Sequence, residues 1–525
     1  MKDNIAFLSG NEALARGAWE AGLKVACAYP GTPSSEILEY LAFFDEVDSQ
    51  WSVNEKAAYE VAYFSAVGGV RSLYASKHVG VNVAMDPLMT SAYTGVNGGF
   101  VIVTADDPGI HSSQNEQDNR YIARFAKIPL IEPSSPSEVI SFIKKAFEIS
   151  EDYDIPVLFR LTTRISHSKE NVILGDRVEV PKRNYEINIP KYVMVPKHAY
   201  QRHILLEKRN KTLKEFSNNT DLNRIEINNK KIGFITNSVS YLYVKEIYPD
   251  ASFLKLGMSY PFPDKKAKEF TSSVDEVYVI EELEPFIEEN LRLIGINPKV
   301  KHDSFKIGEL RPEYIKKIIN NEIKPDDNNL PPRKPSLCKG CPHDQVFTIL
   351  KKFDFVCTGD IGCYTLGALP PHNVISTTLC MGASITSLEG LQKAAKDKKI
   401  VAVIGDSTFM HTGIPGLINA AYNGSNGIIF ILDNATTAMT GSQPHPATGI
   451  TIKGKETKKI SIEEICKACG ADTVDVVNPF KTDELENLIK ARLEEDKLSV
   501  IITRFPCILA KKKINKMKER ININE

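Results

Sequence analysis

No apolar stretch in this chain approaches the roughly 18 residues that a membrane-spanning helix needs. The opening MKDNIAFLSGNEALARG lacks the sustained apolar core of a secretory signal, so a soluble cytoplasmic protein without membrane contact is expected. Charge of one sign is missing too. Lysine and arginine total 65 against 66 acids, which removes the electrostatic footprint of a nucleic-acid binder. The one basic run, KKKINKMKER at 511–520, reads as a solvated tail. No strand leads into a clean Gly-x-Gly-x-x-Gly with a ribose-binding acid at the required distance, which weighs against a Rossmann dinucleotide site. Nine cysteines in a cytosolic chain suit buried thiols, metal ligands or redox groups better than structural disulfides.

What is present is a chain of 525 residues, long enough for several domains at about 150 residues each. Strands alternate with helical patterns, the rhythm of parallel sheets covered on both faces. The expected fold class is α/β, with three doubly wound parallel-sheet modules. The first spans 1–180, with strands IAFLSG, KVACAYPG, RSLYASK, FVIVTADDP and IPVLFRL. Asn11 is expected to cap the first helix, Gly22 to end it, and Thr32-Pro33 to open the second. A polar connector with one long helix follows at 181–230. A second module at 231–321 contains KIGFITNS, FLKLGM and EVYVIEE, and a linker covers 322–336. A third module runs over 337–508, ahead of the tail at 509–525.

The third module holds GDSTFMHTGIPGLINAAYNGSNGIIFILDN, residues 405–434, flanked by the apolar runs of two buried strands. Ligands in open parallel sheets sit beyond the carboxyl ends of strands, where Asp406 and Asn434 both fall. A carboxylate and an amide oxygen suit Mg²⁺, which completes its octahedron with phosphate and water. Gly405 lets the backbone approach an anion, and the helix after Ser407 and Thr408 aims its amides at the same place. Ordinary turn capping by Asp406 and Asn434 accounts for the spacing equally well. The segment resembles the thiamine diphosphate motif. That resemblance implies Mg²⁺ ligation by Asp406, Asn434 and the backbone oxygen of Thr436. It also demands a glutamate from another module.

In WSVNEKAAYEVAYFSAVGG, Glu55 opens a helical pattern and falls in line with Ala58, Ala62 and Ala66. A first-turn acid favoured by the helix dipole is the plain reading. Small residues along that stripe invite close packing, and Lys56 and Glu60 lie off it, free to pair in solvent. The thiamine resemblance makes Glu55 the catalytic carboxyl that protonates the aminopyrimidine, so that the cofactor can lose its C2 proton.

YPGTPSSE, TADDPG with QDNR, LTTRISHS, LCKGCPHD, GDIGCYTLGALPP, TTLCMGAS and TAMTGSQPHPATG narrow the family further. Together with the thiamine motif they resemble the large (alpha) subunit of indolepyruvate ferredoxin oxidoreductases over nearly the whole chain. The resemblance implies oxidative decarboxylation of an arylpyruvate to an aryl-acetyl-CoA, with CoA as cosubstrate. Thiamine diphosphate and Mg²⁺ would be the cofactors, and ferredoxin the electron acceptor. A small beta (gamma-type) subunit and a dimer of the large subunit are implied as partners. By the same resemblance Thr32 lies near the substrate carboxylate or the cofactor. Gly340, Cys341, His343, Gly359, Asp360, Ile361, Gly362, Met381 and Gly382 line the thiazolium and diphosphate pocket. Met381 or Met439 is the bulky residue that bends the cofactor, with core packing as the plain alternative.

Related 2-oxoacid oxidoreductases carry a 4Fe-4S cluster close to thiamine, and here Cys338, Cys341, Cys363 and Cys507 stand in the matching order. A lone Cys-x-x-Cys equally suits a zinc half-site or a pair of turn cysteines. Cys27, Cys357, Cys380, Cys466 and Cys469 read as buried or incidental. The sequence contains no Cys-x-x-Cys-x-x-Cys-x-x-x-Cys-Pro run of a ferredoxin-like domain. The acceptor is therefore expected to be an external ferredoxin or a separate iron–sulfur protein. The alternative is non-oxidative decarboxylation or carboligation.

Overall fold

The computed structural model describes residues 4–325 and 335–510; the middle of the expected linker and the basic run at 511–520 lie outside the described residues. The chain divides into two compact units, Met1–Asn329 and Leu330–Glu525.

The first unit is built on a seven-stranded sheet. Its order is Met258–Tyr260, Leu130–Ile131, Val157–Thr162, Phe100–Asp106, Ser72–Lys77, Val25–Ala28 and Asp48–Trp51. Neighbours run parallel except for the edge strand Met258–Tyr260. All seven residues of the central FVIVTAD strand are buried, as parallel strands covered by helices on both faces require. Ile5–Ser9 does not join this sheet and pairs antiparallel with Lys169–Ile173 in a separate ribbon. Its exposed Ile5 and Phe7 explain the difference, because a strand wetted on one face cannot sit inside a doubly covered sheet.

Two caps also differ from expectation. Ser9, not Asn11, caps the helix Gly10–Glu20. Ser9 Oγ accepts the Glu12 N–H at 3.2 Å while Glu12 accepts the Ser9 N–H at 2.7 Å. Asn11 instead donates to the carbonyl of Pro33 at 2.7 Å and pins the loop that carries Thr32. The next helix, Ser35–Leu41, starts beyond Thr32-Pro33 with Ser34 as its cap residue, which leaves Thr32 in the loop.

A four-stranded sheet follows in the order Glu276–Ile280, Ile232–Asn237, Ser252–Leu256, Arg224–Glu226, the last strand antiparallel. The connector supplies the long polar helix Pro196–Asn219. This second module and the first belong to one compact unit, and a buried charge network joins them. Arg160 binds Asp106 at 2.6 Å and Glu132 at 2.7 Å. Arg120 binds Glu281 at 2.5 Å, the Asp118 carboxylate, and the carbonyl of Glu282 at 2.7 Å. Removing one member of such a network strands a buried charge, at a cost of about 3–5 kcal/mol. The TADD, QDNR and LFRLT words thus build a joint that holds the rim of the first sheet in place.

The second unit carries six parallel strands: Ile375–Thr377, Val356–Thr358, Ile400–Gly405, Gly427–Asp433, Leu498–Arg504 and Thr473–Val477. One face packs against Ala383–Ala394, Ile414–Tyr422 and Ile462–Ala468, the other against Pro342–Leu350 and Thr482–Leu493. Both units are α/β with parallel sheets. Among the described residues no helix is long and apolar enough to cross a membrane.

Candidate active site

In the first unit Glu55 is the first residue of the helix Glu55–Val67, whose cap Asn54 accepts the Ala57 N–H at 2.9 Å. The stripe Ala58, Ala62 and Ala66 is fully buried, and the helix packs on Val25–Ala28 and Ser72–Lys77. Lys56 and Glu60 pair on its outer side. Glu55 itself is only 6% exposed, although it stands in a first turn where an acid ordinarily points to water. Its carboxyl lies against Gly80: a Cβ built there would sit 2.7 Å from Glu55 Oε1. Burial first, and then the nearby Glu55 carboxylate, push the Tyr74 hydroxyl far above its ordinary range.

In the second unit the strands Ile400–Gly405 and Gly427–Asp433 are neighbours, with Gly405 opposite Leu432. Asp406 therefore stands beside Asp433, the last residue of its strand, and Asn434 follows one position further beyond the strand end. Asp406 opens a short helix that passes through a wide π-type turn, Phe409–Gly413, into Ile414–Tyr422. The turn after Asn434 folds back through Ala435 at φ +58°, and Asn434 Oδ1 accepts the Thr436 N–H at 3.2 Å. Ser407 Oγ meets Thr437 Oγ1 at 2.8 Å and locks the two turns together.

This corner is crowded with oxygen ligands. Asp406 Oδ2 lies 3.1 Å from His445 Nε2, and Oδ1 accepts the Ser407 N–H at 2.7 Å. Asp433, paired with Arg504 at 2.6 Å, stands close enough that the Asp406 charge adds to burial in raising its pKa. Asp406 is held below the usual carboxylate range: burial opposes ionisation, and His445 with hydrogen bonds outweighs it. Carboxylates and an amide oxygen in one buried corner are the donors that a hard divalent cation prefers. The Asn434 amide donates to His343 Nε2 at 3.1 Å, and burial pulls His343 down to about 4, so its imidazole is neutral.

Asp360 is turned inward. It accepts the N–H groups of Ile361 and Gly382 at 2.8 Å and of Ser384 at 3.0 Å, which ties the Gly359–Gly362 turn to the start of Ala383–Ala394. Burial raises its carboxyl to about 6. Gly382, at φ +87°, leaves room for Thr412, whose hydroxyl binds the Met381 carbonyl at 2.6 Å. The space beside Gly405, expected to admit an anion, is filled by the Tyr364 ring. Tyr364 donates to the Ile361 carbonyl at 2.9 Å and meets Thr408 Oγ1 at 3.0 Å.

Cys338, Cys341, Cys363 and Cys507 line one cavity of about 100 Å³ together with His343 and Asn434. The Cys507 N–H donates to the Asn434 carbonyl at 2.9 Å, so this cavity adjoins the Asp406–Asn434 corner. Burial and the neighbouring thiols push Cys363 up to about 12. Among the described residues no group of three His, Cys, Asp or Glu side chains could hold a single metal ion. The four thiols line one shared space.

The second unit thus gathers His343, Ile361, Asp360, Met381, Gly382, Asp406, Ser407, Thr408, Asn434 and Thr436 around its strand ends. Gly359 packs on Ile375, Gly340 is exposed, and Met439 is half exposed on the 437–443 turn. Thr32 and Glu55 belong to the first unit. Of the cysteines expected to be buried or incidental, Cys27, Cys357 and Cys466 are buried, Cys469 is half-buried and Cys380 is exposed. His445, Asp433 and Tyr364 were not foreseen as site residues. His445 lies inside the TAMTGSQPHPATG word, which was the available signal.

Residues 360–503 match the family model "Thiamine pyrophosphate enzyme, C-terminal TPP binding domain", and residues 16–230 match "Pyruvate flavodoxin/ferredoxin oxidoreductase, thiamine diP-bdg". The chain is 40% identical over 540 residues to the indolepyruvate oxidoreductase subunit IorA of Archaeoglobus fulgidus, a match covering 96% of this chain and 86% of that protein. It is 41% identical over 538 residues to the subunit of the same name from Methanothermobacter thermautotrophicus, covering 96% and 87%. A solved 2-oxoglutarate:ferredoxin oxidoreductase from Magnetococcus marinus, with 2-oxoglutarate, coenzyme A and succinyl-CoA bound, shares the fold. Its TM-score is 0.52 at 16% identity, over 61% of this chain and 66% of that one.

Proposed function

The chain belongs to the indolepyruvate oxidoreductase IorA family and is a thiamine diphosphate-dependent oxidoreductase; on that premise we propose that it oxidatively decarboxylates arylpyruvates, indolepyruvate-like 2-oxoacids, to aryl-acetyl-CoA. Ferredoxin or a separate iron–sulfur protein takes the electrons, and a small beta (gamma-type) subunit completes a complex built on a dimer of this chain. The observation that carries the reading is the buried Asp406–Asn434 corner beside a cavity ringed by four thiols.

When bound, thiamine diphosphate supplies the carbanion that adds to the 2-oxo carbon and holds the electron pair left by CO₂. Glu55 is the catalytic residue. Its carboxyl gives and takes a proton at Oε, and its burial against Gly80 keeps that proton away from bulk water. Asp406, Asn434 and the carbonyl of Thr436 would hold Mg²⁺, whose charge would offset the repulsion between Asp406 and Asp433. Ser407 and Thr408 shape the anion's approach, while Tyr364 occupies the space beside Gly405. Asp360 keeps Ile361 and Gly382 in place, and His343, held neutral, fixes the Asn434 amide. By the family resemblance Gly340, Gly359, Met381 and Met439 would line the cofactor pocket, and Thr32 would meet substrate or cofactor. Cys338, Cys341, Cys363 and Cys507 would hold one 4Fe-4S cluster, which would supply one-electron transfer.

The test is anaerobic purification with the small subunit, with iron, sulfide and thiamine diphosphate quantified per chain. A low-potential dye assay with arylpyruvate and CoA follows. The expected result is four irons, one thiamine diphosphate and dye reduction that requires both substrates. Release of CO₂ and aldehyde without dye reduction replaces the oxidative reading with a non-oxidative decarboxylase.

A further inference from the structure

The rim of the first unit's sheet carries a cation that none of the roles above employs. Lys77 ends the strand Ser72–Lys77 and immediately precedes the helix His78–Val83, whose Gly80 packs on Glu55. That is the carboxyl end of a parallel strand, where ligands of such sheets collect. The stem of Lys77 lies over Gly31, since a Cβ built on that glycine would come within 3.0 Å of Lys77 Cβ. Its ammonium donates to the Ser112 carbonyl at 2.5 Å, and the Ser112 hydroxyl reaches the carbonyl of Thr32 at 3.4 Å. Lys77, Ser112 and the Thr32 loop therefore meet at one place.

The ammonium has an electrostatic deficit there. Asp107 is the acid whose charge it feels, but Asp107 is occupied elsewhere. One of its oxygens accepts the Ser112 N–H at 2.9 Å and the Ser113 hydroxyl at 2.6 Å, and the other accepts the Thr163 hydroxyl at 2.7 Å. Among the described residues the hydrogen-bond acceptor of Lys77 is a neutral carbonyl. By contrast, the fully buried Lys255 meets the Glu138 carboxylate at 2.5 Å. A lysine has three donors, and a partly desolvated one facing a carbonyl keeps capacity for an anion. Desolvation draws the Lys77 amine down to about 8, the direction expected of a cation short of a counter-charge.

We propose that Lys77 binds the carboxylate of the 2-oxoacid substrate, with Ser112 and the Thr32 loop as the walls of that subsite. The inference rests on the 2-oxoacid reading above. Every 2-oxoacid carries one carboxylate beside its reacting carbonyl, and a compact ammonium on a flexible stem can hold it as a point charge. Lys77 is then a specificity-determining residue that selects acids over aldehydes and amides of the same aryl group.

The test uses the assembled enzyme with its small subunit, comparing wild type, K77Q and K77R. For K77Q the KM for phenylpyruvate should rise by about 10- to 100-fold, the worth of a charge-assisted hydrogen bond, while thiamine diphosphate affinity is unchanged. K77R should recover most of that loss. Two inhibitors separate charge from packing: the Ki of 3-phenylpropionate should rise with KM in K77Q, and that of neutral 3-phenylpropanamide should not. An unchanged KM, a loss confined to kcat or to cofactor binding, or equal shifts for both inhibitors overturns the proposal. If K77Q does not assemble, K77M takes its place in the same comparison: a Ki rise for 3-phenylpropionate alone supports the proposal, and equal or absent shifts for the two inhibitors overturn it. A wild-type enzyme that reduces no dye with any arylpyruvate would instead defeat the 2-oxoacid reading. Calorimetric binding of the two inhibitors still reports on Lys77 separately.

Discussion

Gly80→Ala separates the position of Glu55 from its chemistry. The added Cβ would stand 2.7 Å from Glu55 Oε1, 2.8 Å from its Cγ and 3.0 Å from Ser76 Cβ. Ordinary contact begins near 3.4 Å, so the Glu55 side chain must move by several tenths of an ångström. Because Cγ is struck as well as the carboxyl, a rotation at the tip alone does not relieve the clash. Gly80 lies within the helix His78–Val83, where alanine is preferred to glycine by about 1 kcal/mol. Overpacking costs about 1–3 kcal/mol in the other direction. The net change in stability should therefore stay within about 2 kcal/mol. Activity is far more sensitive, since misplacing a reacting group by about 1 Å costs roughly 10²-fold. The assay is kcat for arylpyruvate-dependent dye reduction in the assembled enzyme, with Tm and thiamine diphosphate affinity measured in parallel. Glu55→Gln sets the lower limit, a loss of about 10²–10⁴-fold with binding retained. If Gly80→Ala keeps kcat within threefold of wild type while Glu55→Gln is inactive, the placement argument fails. If Glu55→Gln retains full activity, the assignment of Glu55 itself fails.

Three further outcomes can be checked. Asp360→Ala strands the N–H groups of Ile361, Gly382 and Ser384, at about 1–3 kcal/mol each, partly offset by removal of a buried charge. Urea unfolding should show a net loss on the order of 3 kcal/mol, and a smaller one for Asp360→Asn, which keeps an oxygen for Ile361 and Gly382. Cys363→Ser should lower iron per chain below that of wild type after anaerobic purification, and full iron retention would remove Cys363 from the cluster. Glu282, buried in the first unit, has its carboxyl raised to about 7 by desolvation. The folded state therefore holds this proton more tightly than the unfolded chain, and its contribution to stability falls as pH rises from about 4.5 to about 7. Glu282→Gln should flatten that dependence and stabilise the protein above pH 7 by up to about 3 kcal/mol, as read from urea midpoints at pH 5 and pH 8.

The parts of the site legible in the sequence are those whose chemistry is local. Asp406 and Asn434 are readable because each directly follows an apolar run, and a run of buried residues announces a strand whose end is a ligand position. Glu55 is readable because its alanine stripe repeats at helical spacing, and Cys338 and Cys341 because their spacing is itself a motif. Asn11 was misread as a cap because Ser9 and Asn11 are both good cap residues. Only the reciprocal bond to Glu12 and the long reach of Asn11 to Pro33 separate them. Ile5–Ser9 reads as part of the main sheet because it is a continuous apolar run, whereas its distant partner Lys169–Ile173 is not visible in the sequence.

Residue order by itself determined the α/β class and the placing of Asp406 and Asn434 at strand ends, because periodicity and turn chemistry act within a few residues. Tertiary structure decided what each group faces. It set His445 against Asp406 and spent Asp360 on the backbone of a distant helix. It drew Cys507 to the Asn434 turn, joined two modules through Arg120 and Glu132, and left Lys77 on the rim donating to a neutral carbonyl. Those outcomes depend on which charges share a buried, low-dielectric space, and that is settled by packing between segments far apart in the chain.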